Sequence, residues 1–399
     1  MNILINASNI KIGGGIQVAD YFCKSVVEKQ GNAFKQKFSG HRFFIVLSSY
    51  LNSTKSEIDS CPDIKTYTYD IKNSPKTLLF GRDAFLDSLV REKKIDFVFS
   101  VFGPSRWIPK VRHLCGFAMG QLVLQDSPFY SVCSLKQKIY WKFLFFYSRK
   151  FLFHRCSKLF YSENEYISDR VEQIFKNTKC YTVTNYYNPI YDTPEKQTTK
   201  PLPYFNGITL LTISTAYPYK NLQISLRVAH ILKTKYPNLS FRFVFTCQKE
   251  EFLDCEYVKR GLIFKNNKKE EKIYDLDLEN FVFIGKVDLK DCPSLYEQCD
   301  MVFLPSLMEC FTALYPESFR MQKPLLTSDL PFARGLCGKA AEYFPALDAE
   351  KIAQTIHQLA NNTSRQKELI KQGLRQLSLY DNNTQRMETV MSIMEKHFH

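Results

Sequence analysis

The chain has 399 residues, 45% of them hydrophobic and 24% charged, a composition that excludes a disordered protein. Its length favours two domains, each able to bury its own core, and the absence of any apolar run of about 18 residues excludes a spanning helix. The net charge of +14 is uneven: residues 1–190 hold 27 Lys and Arg against 15 Asp and Glu, and residues 191–399 hold 27 against 25. That excess in the first half calls for an anionic partner, whether a membrane surface, a phosphorylated substrate or nucleic acid.

In chain order, apolar strand patterns alternate with helical ones. NILINAS (2–8) reads as a buried strand, broken by Gly13-Gly14-Gly15 before an amphipathic stretch from Ile16 to Lys29. Further strands are expected at 42–48, 95–103, 113–119 and 158–162, with helices near 79–93 and 134–155. Ser162 and Glu165 have the spacing of a capping box for the next helix. The segment 188–207 is rich in Pro, Thr and charge, lacks a period, and is the expected domain boundary. A second set follows: strands at 208–214, 241–246, 281–285, 300–306 and 324–329, a helix over 222–235, and helix from Asp348 to the end. Continuous apolar strands separated by helices predict parallel sheets covered on both faces, so the fold class is α/β with two successive Rossmann-like domains.

The opening MNILINASNIKIGGG lacks the basic, apolar and small-residue pattern of a signal peptide. Twelve cysteines show no zinc spacing. The expectation is a cytoplasmic protein with reduced, buried thiols and no metal, in which Asn52 and Asn238 match the glycosylation pattern by chance.

In open parallel sheets ligands bind at the carboxyl ends of strands, where helix N-termini present free N–H groups. Three sites fit. Gly13–Gly15 follow the first strand and would let backbone approach a phosphate, although a plain tight turn explains them about as well. Lys220-Asn221 follow a strand and precede a helix, where a lysine opposes the helix dipole unless an anion is shared; a solvated loop lysine is the alternative. In the third, 300–329, a strand runs into a loop with Glu309 and then into a helix whose first turn holds Pro316 and Glu317. Two carboxylates facing a cleft suit the vicinal hydroxyls of sugars. On residues alone, an exposed Glu309 and a Glu317 that complements a helix terminus explain the pattern too.

The stretch PSLMECFTALYPESFRMQKPLLTSDLPFARGLCGKAAEYFPALDAEKIAQTI resembles the nucleotide-sugar-binding region of the retaining GT-B-fold glycosyltransferases of the large group 1 (family 4) type. The resemblance rests on Glu309 and Glu317 eight positions apart, on the run from Lys323 to Asp329, on Gly338 to Phe344, and on Asp348. YPYKN (217–221) resembles that family's phosphate-binding Lys-Asn, TNYYNP (184–189) its segment before the linker, and Gly13–Gly15 its N-terminal glycine loop. The resemblance is strong over 208–360 and diffuse over 1–190.

It implies two Rossmann-like domains facing each other across a cleft: an acceptor-side domain over 1–190, completed by a helix at 381–399, and a nucleotide-sugar domain over 191–380. It also implies roles. Glu317 would hold the donor ribose and Glu309 the transferred sugar, beside backbone N–H groups of Cys310, Phe311 and Thr312. Lys220, with Asn221, would neutralise the departing diphosphate, and Gly14 and Gly15 would close on the donor phosphates. No cofactor or metal is implied; a UDP-, GDP- or dTDP-linked sugar is the donor substrate and a glycan or lipid-linked glycan the acceptor, in bacterial surface-polysaccharide assembly. The sequence departs from the pattern at Thr215, where the family has Arg, and at Cys310, where Gly is commoner. His113 is the nearest candidate for the family's N-terminal histidine. The rival readings are a GT-B-fold nucleotide-sugar epimerase and a non-catalytic scaffold.

From Asp126 to Glu163 no acidic residue intervenes, whereas seven Lys and Arg lie among aromatics. On a helix, Lys138, Lys142 and Arg149 would share a face. Peripheral contact with an anionic membrane through 134–158 is the corresponding expectation, with a core helix carrying a solvated basic edge as the alternative. No nucleic-acid recognition module is visible.

Overall fold

The computed structural model describes the chain except residues 12, 29–39, 60–63, 73, 104, 149–155, 197, 255–261, 267–268, 273–276 and 399. It divides into two compact units: residues 1–125, 133–185 and 381–399 form the first, and residues 126–132 with 186–380 form the second.

The first unit is built on β1 (Asn2–Ala7), β2 (Arg42–Leu47), β3 (Lys65–Thr68), β4 (Phe97–Gly103), β5 (Arg112–Phe117), β6 (Leu159–Ser162) and β7 (Lys179–Thr182). These make one parallel sheet in the order β3-β2-β1-β4-β5-β6-β7. Strand side chains alternate between faces. Ile3, Ile5 and Ala7 therefore join a core with Phe22, Val26 and Met391, while Leu4 packs on the other face with Val98, Leu89 and Trp107. Both faces are apolar because both are covered by helices.

The helix expected to begin at Ser162 is capped elsewhere. Ser162 closes β6, and Asn164 caps the helix Glu165–Ile174 by accepting from the Tyr166 N–H at 3.0 Å. The helical region near 79–93 is two helices, Pro75–Phe80 and Ala84–Glu92, parted by Gly81 in the left-handed region at φ 64°. The last helix, Asn383–Lys396, packs on the helix Gly14–Glu28 within the first unit, and Met387, Val390, Met391 and Met394 are fully buried there.

The second unit carries β8 (Ile208–Thr212), β9 (Phe241–Phe245), an antiparallel pair β10 (Leu262–Asn266) and β11 (Lys269–Lys272), then β12 (Phe281–Phe283), β13 (Met301–Leu304), β14 (Leu325–Ser328) and β15 (Ala341–Phe344). Its main sheet is parallel, in the order β12-β9-β8-β13-β14-β15. The Pro-rich stretch after Asn188 is not loose. It is strapped to the second unit by backbone N–H groups of Thr198, Lys200 and Leu202, which donate to Lys290 O, Ser294 Oγ and Gln298 Oε1 at 2.8–3.0 Å.

Candidate functional site

In the second unit the chain builds outward from β8 to β9 and β12, then returns to place β13 on the other side of β8. That reversal is a topological switch point, where the loops leaving adjacent strands diverge and open a crevice at the carboxyl edge. The loops after β8 and β13 carry Lys220 and Glu309, and the helix that follows the second loop carries Glu317.

After β8 the backbone makes a 3-10 turn, Pro218–Lys220, and Asn221 follows in the left-handed conformation at φ 55°. Asparagine tolerates this conformation better than most side chains. Its amide fixes the loop by donating to Pro305 O at 3.2 Å and Ala346 O at 3.3 Å. The Leu307 N–H donates to Tyr219 O at 2.7 Å, tying the two loops together. Asn221 is thus a clamp between loops.

This clamp aims Lys220 inward. Its side chain is buried, and Nζ lies 2.5 Å from Glu309 Oε1, which also accepts from Ser306 Oγ at 2.8 Å. Neither the solvated lysine nor the exposed loop glutamate survives. The anion that relieves the lysine's conflict with the helix dipole is supplied by the protein itself, as Glu309.

The helix Leu314–Arg320 starts on Leu314, so Pro316 is its third residue, within the first turn where an N–H is dispensable. Glu317 is buried and accepts from the Tyr296 hydroxyl at 2.8 Å through Oε2. Burial pushes its carboxyl above the ordinary value, against the lowering pull of the tyrosine hydroxyls beside it. The Tyr191 hydroxyl, buried next to the same carboxylate, has no hydrogen-bond partner among the described residues, and its ring meets that of Tyr296 edge-on at 5.8 Å. Glu317 is more than a complement to a helix terminus.

The two glutamates share one design. Each anchors one oxygen on protein donors, Glu309 on Lys220 and Ser306 and Glu317 on Tyr296, while the contacts among the described residues leave the other oxygen able to accept. Cys310 and Thr312 are buried in the loop between them, and Phe311 is half-buried with its ring 6.4 Å from that of Tyr380. Thr215 is exposed on the loop after β8. Ser306, Tyr191 and Tyr296 escaped the sequence reading. No spacing connects Tyr296, on the helix Cys292–Glu297, with a glutamate one strand later.

In the first unit the equivalent reversal lies between β1 and β4. Gly13, at φ 65°, ends the loop after β1, and Gly14 and Gly15 open the helix Gly14–Glu28. A Cβ on Gly14 would meet open space, and one on Gly15 would touch Ile10 and Phe102 at ordinary contact distances, 3.6 and 3.7 Å. The turn demands glycine at 13 only. His113 is the second residue of β5, toward the amino end of the sheet, with its ring held at 2.9 Å by both Cys156 O and Ser100 Oγ. It is a core histidine, and the fold does not bring it to the carboxyl edge that carries the glycines.

Residues 195–376 match the model of the family described as glycosyl transferases group 1. Over its full length the chain has the fold of GT-B glycosyltransferases. A glycosyltransferase from Rickettsia africae superposes with a TM-score of 0.65 at 14% identity, covering 99% of this chain and 98% of that one. Anabaena HepE in complex with UDP and glucose gives 0.63 at 13%, covering 99% of both chains. WaaG, a glycosyltransferase involved in lipopolysaccharide biosynthesis, gives 0.62 at 12%, covering 98% of this chain and 99% of that one. No curated protein matches the sequence. No described helix is long and apolar enough to cross a membrane.

Proposed function

We propose that this protein is a retaining glycosyltransferase that moves a hexose from a nucleotide-linked donor to a glycan or lipid-linked glycan in bacterial surface-polysaccharide assembly. The observation that carries this reading is the trio of buried charges at the switch point of the second unit: Lys220 held on Glu309, and Glu317 held by Tyr296. Buried charges are rare without a partner or a task, and each glutamate keeps an acceptor oxygen suited to sugar hydroxyls.

In this proposal the ribose hydroxyls donate to Glu317 and hydroxyls of the transferred sugar donate to Glu309. As the bond from anomeric carbon to phosphate breaks, negative charge grows on the departing diphosphate. Lys220 and the N–H groups of Cys310 to Thr312 are fixed donors for that charge and act without a metal. Within the first unit, Gly14 and Gly15 offer N–H groups at the start of a helix, where an anion is favoured. The cytoplasm supplies such donors. The HepE complex contains UDP and glucose, which makes a UDP-linked hexose the first donor to try.

The test is a thermal-shift screen against UDP, GDP, dTDP and their sugars, with wild type beside Glu317→Ala. A ligand at one hundred times its Kd should add about 2.7 kcal/mol of stability. One nucleotide should raise the midpoint of the wild type and leave that of the variant in place. An equal shift in both proteins would remove Glu317 from the site, and no shift with any donor would sink the assignment.

A further inference from the structure

The helix Leu135–Tyr147 in the first unit starts from a complete capping box, Ser134 with Gln137, and none of its residues is buried. Its thirteen residues span about 20 Å. At 100° per residue, Leu135, Ile139, Phe143 and Phe146 fall on one stripe, bordered by Lys142 on one side and by Lys136 and Tyr140 on the other. That stripe points outward: Leu135 is 74% exposed, Ile139 60% and Phe143 67%. The opposite side, with Gln137, Lys138, Trp141, Leu144 and Phe145, is half-buried. The basic face expected from Lys138, Lys142 and Arg149 is thus rearranged. Lys138 is turned partly inward, Arg149 lies outside the described residues, and the aromatics are divided, with Tyr140, Phe143 and Phe146 at the surface and Trp141, Phe145 and Tyr147 half-buried.

A solvated helix has the opposite pattern, polar outside and apolar inside. Three exposed large apolar residues in succession, rimmed by exposed lysines, call for a partner that is apolar in depth and anionic at its surface. The sequence excludes acids from this entire region, from Asp126 to Glu163. A second copy of the chain would bring the same lysines against each other, whereas the phosphodiester headgroups of an anionic bilayer meet them with opposite charge while Ile139 and Phe143 reach the acyl boundary. Tyrosine at the border, as Tyr140 is here, suits the headgroup level.

We propose that the helix Leu135–Tyr147 is a membrane-docking face that seats the first unit in the interface of an anionic bilayer, lying in its plane. This inference does not depend on the donor site, because it rests on a separate surface.

The experiment is flotation of the full chain with phosphatidylcholine vesicles, with and without phosphatidylglycerol, for wild type, Lys136→Gln/Lys142→Gln and Ile139→Glu/Phe143→Glu. Wild type should float only with anionic vesicles, and less as salt is raised. The lysine variant should bind about 25-fold more weakly, roughly fivefold per lysine, and the glutamate variant should stay at the bottom of the gradient. Circular dichroism should show both variants folded. If one does not fold, the fluorescence of a Phe143→Trp variant decides: acyl-brominated lipids should quench a tryptophan on the outward stripe, whereas Trp141 is on the half-buried side and Trp107 is fully buried in the core. The proposal fails if wild type ignores anionic vesicles, if Ile139→Glu/Phe143→Glu floats like wild type, if the tryptophan of Phe143→Trp is not quenched, or if the glutamate variant abolishes only a concentration-dependent dimer.

Discussion

At the scale of single residues, the site is a place where stability has been given up. Glu317 sits in a buried position that raises its carboxyl above the ordinary value. A raised folded-state value means that the native protein holds a proton more tightly than the unfolded chain. The group's contribution is therefore fully present below the unfolded value and is lost as pH rises through the folded one. Ionising Glu317 in its buried position is thus a cost that ligand hydroxyls would offset. Glu317→Gln keeps an oxygen to accept from Tyr296 and removes the charge. It should melt at a higher temperature than wild type at pH 7 to 8, and the gain should vanish below about pH 4.5. Midpoints across that range check it, and a variant less stable at pH 8 would show that the ionised carboxylate is well solvated. Glu309 is different. Its charge is paired with Lys220, so truncating either partner strands the other and costs about 3–5 kcal/mol. Loss of activity in Glu309→Ala would mix instability with chemistry, and for that reason Glu317 is the better probe of function.

At the scale of elements, what could be read in the sequence follows from burial. The central strands β1, β2, β4, β5, β8, β9, β13 and β14 are mostly apolar because both faces of each sheet are covered, and each was legible to within about two residues at its ends. The edge strands β3 and β7, KTYT and KCYT, are short and half polar and carry no such signal, and β15, AEYF, is equally faint. Site residues were legible where one short segment holds them, as with Glu309 and Glu317. The Lys220–Glu309 pair joins loops 89 residues apart, and Tyr296 reaches Glu317 from another helix, so neither contact has a local pattern. Glycine inside a strand is the converse case, a visible residue with a hidden cause. Gly116 lies within β5, and a Cβ there would sit 2.0 Å from Val101 O and 2.9 Å from the Tyr161 ring. The Tyr161 hydroxyl donates to that same carbonyl at 2.6 Å, so neither neighbour can yield easily. Gly116→Ala should lose at least the upper end of the usual 1–3 kcal/mol of overpacking, read as a lower urea midpoint; a midpoint like that of wild type would mean that β5 shifts to make room.

At the scale of the whole molecule, the two ends of the sequence share one core. Apart from residues 126–132, the chain leaves the first unit after Asn185, builds the second, and returns at Asp381, where Asp381 Oδ2 accepts from the Thr184 N–H and hydroxyl at 3.2 and 3.0 Å. The final helix then inserts Met387, Val390, Met391 and Met394 against Phe22 and Val26. Arg386, fully buried beside them, donates to Glu163 Oε1 at 2.7 Å and Asn185 Oδ1 at 2.5 Å, with its guanidinium 4.7 Å from the centre of the Phe22 ring. Each buried apolar side chain contributes roughly 1.5–3 kcal/mol, and removing Arg386 would leave Glu163 buried without its cation at a further cost of about 3–5 kcal/mol. Those losses together match or exceed the 5–15 kcal/mol by which a domain is usually stable. A chain ending at Tyr380 should therefore lose the cooperative unfolding of the first unit, while the second, whose core contains none of these residues, keeps its own transition. Differential scanning calorimetry on the truncated and full chains resolves the two. Retention of both transitions would show that the first unit closes over the vacated groove, whereas loss of both would show that the second unit depends on the first for its stability.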